Sequence, residues 1–143
     1  MSDFDELYQE IILDHYRSPR GAAVLDGVPE SARLENPTCG DSIKVEVSLA
    51  LDGSFRGARF EAKGCAISVA SASLMTLAVA GKSLEEVRDI AWAFIHALRG
   101  EASPEALETM GDLVAFKGVA KFPARVKCAT LAWHALLAAL PTS

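Results

Sequence analysis

Long hydrophobic runs are missing from this sequence. The uncharged apolar stretch Ala129 to Leu140 falls short of the roughly 20 residues a helix needs to cross a bilayer, and no membrane span is expected. Blocks of lysine or arginine are missing too. With 14 basic against 19 acidic residues and a net charge of −5, the chain offers no electrostatic footprint for nucleic acid, which is therefore not an expected partner. The N-terminus, MSDFDELYQE, lacks the basic start and apolar centre of a secretion signal. Cysteine is scarce and odd in number. Cys39, Cys65 and Cys128 lie far apart, a poor disulfide framework but a workable set of metal-binding or reactive thiols, for which a reducing cytoplasm is the expected setting. Internal repeats and dividing linkers are absent as well, so residues 1–143 are read as a single domain.

What remains is ample core-forming material. Half of the residues are hydrophobic and 23% are charged, a balance that supports a packed interior. Phe4, Leu7, Tyr8, Ile11, Ile12 and His15 recur at helical spacing behind Ser2 as a cap, and Pro19-Arg20-Gly21 ends the pattern. A polar, irregular stretch follows to about Asn36. Ile43, Val45, Val47, Leu49 and Leu51 then alternate with Lys44, Glu46, Ser48 and Ala50, the signature of a half-buried strand. Asp52-Gly53 is a turn signal, and Phe55 to Lys63 can return antiparallel. This hairpin would bring Asn36 to Asp41 and Lys63-Gly64-Cys65 to the same end.

Downstream, Ala66 to Ala80 reads as a close-packed helix ended at Gly81. Ser83-Leu84-Glu85-Glu86 supplies a capping box for a helix through Leu98, which Gly100 can end. Ser103-Pro104-Glu105 predicts a further helix to about Phe116, with Lys117 to Phe122 as a connector. Pro123 opens the last helix, which carries Cys128 near its start and runs through Trp133 to Leu140. The expected class is α+β: an N-terminal helix, a small antiparallel sheet, then several packed helices.

The chemistry concentrates on the three cysteines and one carboxylate. In Cys39-Gly40-Asp41 the glycine allows a tight backbone fold, so that a thiolate and a carboxylate can converge. Cys65 and Cys128 sit at or near helix starts, where exposed N–H groups and the helix dipole favour a thiolate. Three thiolates and an Asp oxygen would complete a tetrahedral zinc shell. The other reading is that each cysteine is a small buried hydrophobe, and spacing alone leaves both open. Arg125 and Lys127 flank Cys128 and are the cations best placed to offset such a negative site; Arg125, one helical turn before Cys128, could pair with Asp41. His15, His96 and His134 read as packed or surface histidines, and Phe94, Met75, Trp92 and Trp133 as core or interface. Ser68, Ser71 and Ser73 read as helix packing, with no acid–histidine pair to make any of them a nucleophile. Tyr8 and Tyr16 on the first helix fit either partner surface or core.

At these residues a family resemblance emerges. Asn36-Pro37-Thr38-Cys39-Gly40-Asp41, Gly64-Cys65-Ala66-Ile67-Ser68, and Phe122-Pro123-Ala124-Arg125-Val126-Lys127-Cys128 resemble, in order, the three signature blocks of the IscU/SufU (NifU N-terminal-like) family. The extra helical segment between Cys65 and Cys128, and Lys127 where the IscU branch carries histidine, look like the SufU branch. The proline-rich chaperone-recognition motif of the IscU branch is missing. The resemblance implies a sulfur acceptor or sulfurtransferase for iron–sulfur cluster assembly, served by a SufS-type, pyridoxal-phosphate cysteine desulfurase and handing sulfur to downstream assembly proteins. It implies Cys39, Asp41, Cys65 and Cys128 as metal ligands, Zn2+ as the metal, and Cys39 as the sulfur acceptor; the negative charge of such a site makes Arg125 the expected assisting residue. The alternative it carries is a non-catalytic scaffold that assembles a [2Fe-2S] cluster on the same side chains.

Overall fold

The computed structural model describes residues 3–37 and 40–141. The cap expected at Ser2, the side chains of Phe4 and Leu7, and Cys39 lie outside the described residues. The class is α+β, as the periodicities predict. Helix α1 (Asp3–Arg17) is followed by a 3-10 turn (Glu30–Ala32) and three antiparallel strands, β1 (Leu34–Asn36), β2 (Asp41–Leu49) and β3 (Phe55–Lys63), in the order β1-β2-β3. Helices α2 (Ala66–Val79) and α3 (Leu84–Leu98), two 3-10 segments (Pro104–Thr109 and Gly111–Lys121) and α4 (Pro123–Ala139) complete the chain.

The predicted hairpin forms. Ser42 pairs with Lys63 and Val45 with Phe60, so the start of β2 and the end of β3 lie side by side. The strand is shorter than the alternation suggests: it ends at Leu49, where a bulge interrupts the register, and Ala50 enters the turn by accepting from Gly53 N–H. Leu51 is left fully exposed at the tip. Ile43, Val45 and Phe60 are buried against the helices, where Met75, Phe94, Phe116, Trp133 and Leu136 fill the centre. Trp133 stacks on Phe94 at 4.8 Å between ring centroids. Its indole N–H donates to Ser71 Oγ at 3.1 Å, and Ser71 donates in turn to the Ala129 carbonyl at 2.5 Å, locking α2 to α4.

Four sequence expectations are corrected. The stretch before Asn36 is not merely irregular: Leu34 and Glu35 pair with Ile43 and Ser42 to make β1. This segment also folds over the sheet, so Lys44, expected on a solvated face, is buried. Its ammonium donates to the Val28 carbonyl at 3.2 Å and meets Glu30 at 2.6 Å. Hydrogen bonds from Arg33 and then from Lys44 hold the Glu30 carboxyl down at about 2. The single helix expected from Ser103 to Phe116 is instead two 3-10 segments, divided where Gly111 takes a left-handed φ of 61°. The connector expected at Lys117 to Phe122 belongs largely to the second of them.

The capping box at Ser83 forms, with Glu86 N–H donating to Ser83 Oγ at 3.1 Å and Ser83 N–H to the Glu86 carboxylate at 3.0 Å. Helix α1 is tied to α2 by a buried cluster. Ser73 Oγ accepts from Arg20 N–H at 2.8 Å, so its proton is directed to His15 Nδ1, 2.6 Å away. That arrangement needs neutral His15. Burial, then the charge of Arg20, pushes the His15 pKa down.

Candidate metal centre

The site is built where three elements end or begin. Asp41 opens β2 and is 1% exposed; Cys65 is the N-cap of α2; Cys128 lies fully buried in the second turn of α4. One ligand atom from each, all within 4.8 Å of one another, forms the metal-competent group found among the described residues. The hairpin register delivers the first two, and the packing of α4 across β2 delivers the third.

The carboxylate is held before any metal arrives. Cys65 N–H, unpaired at the helix start, donates to Asp41 Oδ1 at 2.8 Å, and the Cys65 thiol lies 3.7 Å from Oδ2. Gly64 makes this approach possible. A Cβ at Gly64 would collide with the Asp41 carboxyl oxygen, and its φ of 154° is one that side chains avoid. Neither Cys65 nor Cys128 is in a disulfide. Cys128 donates to the Ala124 carbonyl and receives Asn36 Nδ2 at 3.7 Å. Asn36 pairs with Asp41 across β1 and β2, so one strand position orients a thiol while its neighbour supplies a carboxylate.

The donor set fits a metal that takes sulfur and one hard oxygen in tetrahedral geometry, as zinc does. Asp41, Cys65 and Cys128, expected together from the sequence, are brought together. Cys39, expected as a ligand and as the reactive thiol, is outside the described residues. Arg125 is exposed at the start of α4 and lines a groove with Cys65, but among the described residues no ion pair joins it to Asp41. Lys127 faces elsewhere, into a cleft shared with Glu35, Arg99 and His134.

The other residues singled out are placed as packing groups. His96 meets Glu101 at 3.6 Å and lies against Trp92, while His134 stands edge-on to the same indole. Burial and the nearby Arg99 lower the His134 pKa. Trp92 is 43% exposed, Tyr16 45%. Asn36 and Gly64, given no role by the sequence reading, touch the candidate ligands Cys128 and Asp41; both stand inside the recognised motifs.

Residues 7–139 match the family of the NifU-like N terminal domain. The chain is 43% identical over 137 residues to the zinc-dependent sulfurtransferase SufU of Bacillus subtilis (strain 168), covering 94% of this chain and 90% of that protein. It is also 43% identical over 143 residues to the iron–sulfur cluster assembly scaffold protein IscU of Streptococcus pyogenes serotype M1, covering all of this chain and 88% of that one. Among solved structures, the putative iron–sulfur cluster assembly scaffold protein for the SUF system of Fervidobacterium islandicum AW-1 superposes with a TM-score of 0.77. That pair is 28% identical and covers 95% of this chain and 98% of the other. Matched by the family over residues 7–139 and 43% identical to relatives over almost its whole length, this chain belongs to the NifU-like N-terminal domain family.

Proposed function

We propose that this protein is a zinc-dependent sulfur acceptor that takes persulfide sulfur from a SufS-type cysteine desulfurase on Cys39 and delivers it to iron–sulfur cluster assembly in the cytoplasm. The observation that carries the reading is the convergence of Asp41, Cys65 and Cys128 within 4.8 Å, with Cys39 two residues before Asp41 as the fourth proposed ligand. Zinc bound there supplies a Lewis acid that keeps its thiol ligands deprotonated at neutral pH.

The chain's own groups do the rest. Asp41, pinned by Cys65 N–H, is the hard ligand in a soft set and the one most readily exchanged. Asn36 orients Cys128. The freed Cys39 thiolate attacks the outer sulfur of the desulfurase persulfide; a new S–S bond forms, the old one breaks, and the desulfurase cysteine leaves as a thiolate. No oxidant is required. Arg125, exposed beside Cys65, is available to pair with Asp41 or with the anionic persulfide.

The second reading, a scaffold that assembles a [2Fe-2S] cluster on the same side chains, is favoured by the equal identity to a relative named as a scaffold. Alanine release by the desulfurase separates the two. Zinc-loaded protein should accelerate turnover, trapping should find the added sulfur on Cys39, and Cys39→Ser should abolish both effects, because an alcohol is not ionised near neutral pH. An inert zinc form beside an iron form carrying a transferable cluster would establish the scaffold instead.

A further inference from the structure

The Cys65 thiol forms part of the wall of an open groove of about 630 Å3, bounded by Tyr8 and Ile12 of α1, Ile67 of α2, and Gly118 and Val119 of the second 3-10 segment. This volume lies within the range of small-molecule sites, and the interior is mostly apolar. Lys121 and Arg125 also line it, both exposed and, among the described residues, neither with an ion pair or side-chain hydrogen bond. Phe122, 60% exposed, lies between them in sequence and also lines the groove. Two cations, a mostly apolar lining and the Cys65 thiol in one groove suit an amphiphilic ligand that carries both acidic groups and sulfur chemistry.

We propose that this groove binds a carboxylate-bearing thiol larger than free cysteine, such as a thiol peptide, which collects the sulfur held on the protein. The proposal rests on the Cys39 reading above. Its carboxylates meet Lys121 and the Arg125 fork, its stem lies on Ile12, Ile67 and Val119, and its thiol faces the metal centre. The chemistry balances without a further reagent. The ligand thiolate attacks the outer sulfur of the Cys39 persulfide, a ligand S–S bond forms, the Cys39 S–S bond breaks, and Cys39 departs as a thiolate. The product is a small persulfide, and the protein returns to its starting state.

Gly118 provides a clean test. It is not among the left-handed glycines, it lines the groove, and a Cβ there would meet nothing within 4 Å, so a side chain at this position starts out in open space. Zinc-loaded full-length protein is titrated calorimetrically with S-methylglutathione, which has the carboxylates and stem of a thiol peptide but cannot accept sulfur. Binding is expected at one site per chain, weakened at least tenfold by Gly118→Leu and less than twofold by Gly118→Ala, with about fivefold lost in Lys121→Ala. Circular dichroism checks that each variant is folded.

In the second arm, protein loaded by the desulfurase and then separated from it is mixed with glutathione, cysteine or cysteamine. Transfer to glutathione should saturate with concentration, and transfer to the two smaller thiols should rise linearly. Absence of S-methylglutathione binding, binding untouched by Gly118→Leu, or linear transfer to glutathione would overturn the proposal. Saturable transfer to a protein thiol alone would also overturn it and assign the groove to a macromolecule. Failure of the desulfurase to load Cys39 would refute the Cys39 reading and the transfer step together; loaded protein that binds no S-methylglutathione refutes only the groove.

Discussion

Gly64→Ala places a methyl group where the Asp41 carboxylate sits against the backbone. Two costs follow from the geometry. Alanine must either hold a φ near 154°, a region that only glycine occupies freely, or shift the backbone; such strain costs on the order of 1–3 kcal/mol. If the carboxylate moves instead, its 2.8 Å bond from Cys65 N–H is lost while Asp41 remains 1% exposed. A charge-assisted bond of that kind contributes about 1.5–3 kcal/mol. The two costs are alternatives in part, so a total of roughly 2–4 kcal/mol is expected in urea unfolding of the metal-free protein. Because the same shift displaces a ligand oxygen, zinc affinity measured against a chromophoric chelator should fall by about 10- to 100-fold. Gly57→Ala is the control: its Cβ would meet nothing within 4 Å and its φ is not left-handed. A Gly64→Ala protein that loses less than about 1 kcal/mol and binds zinc as tightly as the parent would refute the pinned-carboxylate argument.

Asn36→Ala removes the amide aimed at Cys128 Sγ, and zinc affinity should drop about tenfold in the same competition assay with little change in secondary structure by circular dichroism. Ser71→Ala leaves both the Trp133 N–H and the Ala129 carbonyl without their buried partner, for a loss on the order of 2–4 kcal/mol in denaturant titration followed by tryptophan fluorescence. His15 and His134 have folded pKa values below the ordinary 6.5, so their contribution to stability is complete above pH 6.5 and is lost as pH falls through the folded values, where the unfolded chain takes up protons that the folded one resists. His15→Asn, which keeps an acceptor toward Ser73, should flatten that decline between pH 7 and about 5 in urea midpoints, leaving the His134 share; an unchanged slope would remove His15 from the account.

The features that could be read in advance are those set by neighbours in sequence. The Ser83–Glu86 capping box and the Asp52-Gly53 turn each specify their own geometry within a few residues, and the structure contains both; the alternation gives β2 and its buried Ile43 and Val45 but not its end. Pairing the two strands then placed Asp41 beside Cys65 without further information, which is why the heart of the site was legible. Most of the misses are long-range. Leu34–Asn36 is too short to carry a periodic signal and becomes a strand only because Ile43 and its neighbours offer a free edge. Lys44 looks solvated until the preceding loop brings Val28 and Glu30 over it. Asn36 acquires its role through a partner 92 positions away, and no local pattern encodes that. The segment after Ser103 carried a correct start signal, but its length was misjudged because Gly111 resets the backbone.

The three candidate ligands, Asp41, Cys65 and Cys128, come from a strand start, a helix cap and the last helix, and that distribution sets an order of events. Asp41 and Cys65, 24 positions apart, can meet once a single hairpin has closed. Cys128 joins them only after α4 has been synthesised and has docked on β2 and α2. Half-finished or misdocked chains therefore present at most a pair of donors, which hold a metal ion weakly, whereas the completed fold presents the full set. A metal held by this set would therefore be captured late in biogenesis, by molecules whose β2 and α4 have already docked, and undocking of α4 would remove one of its donors.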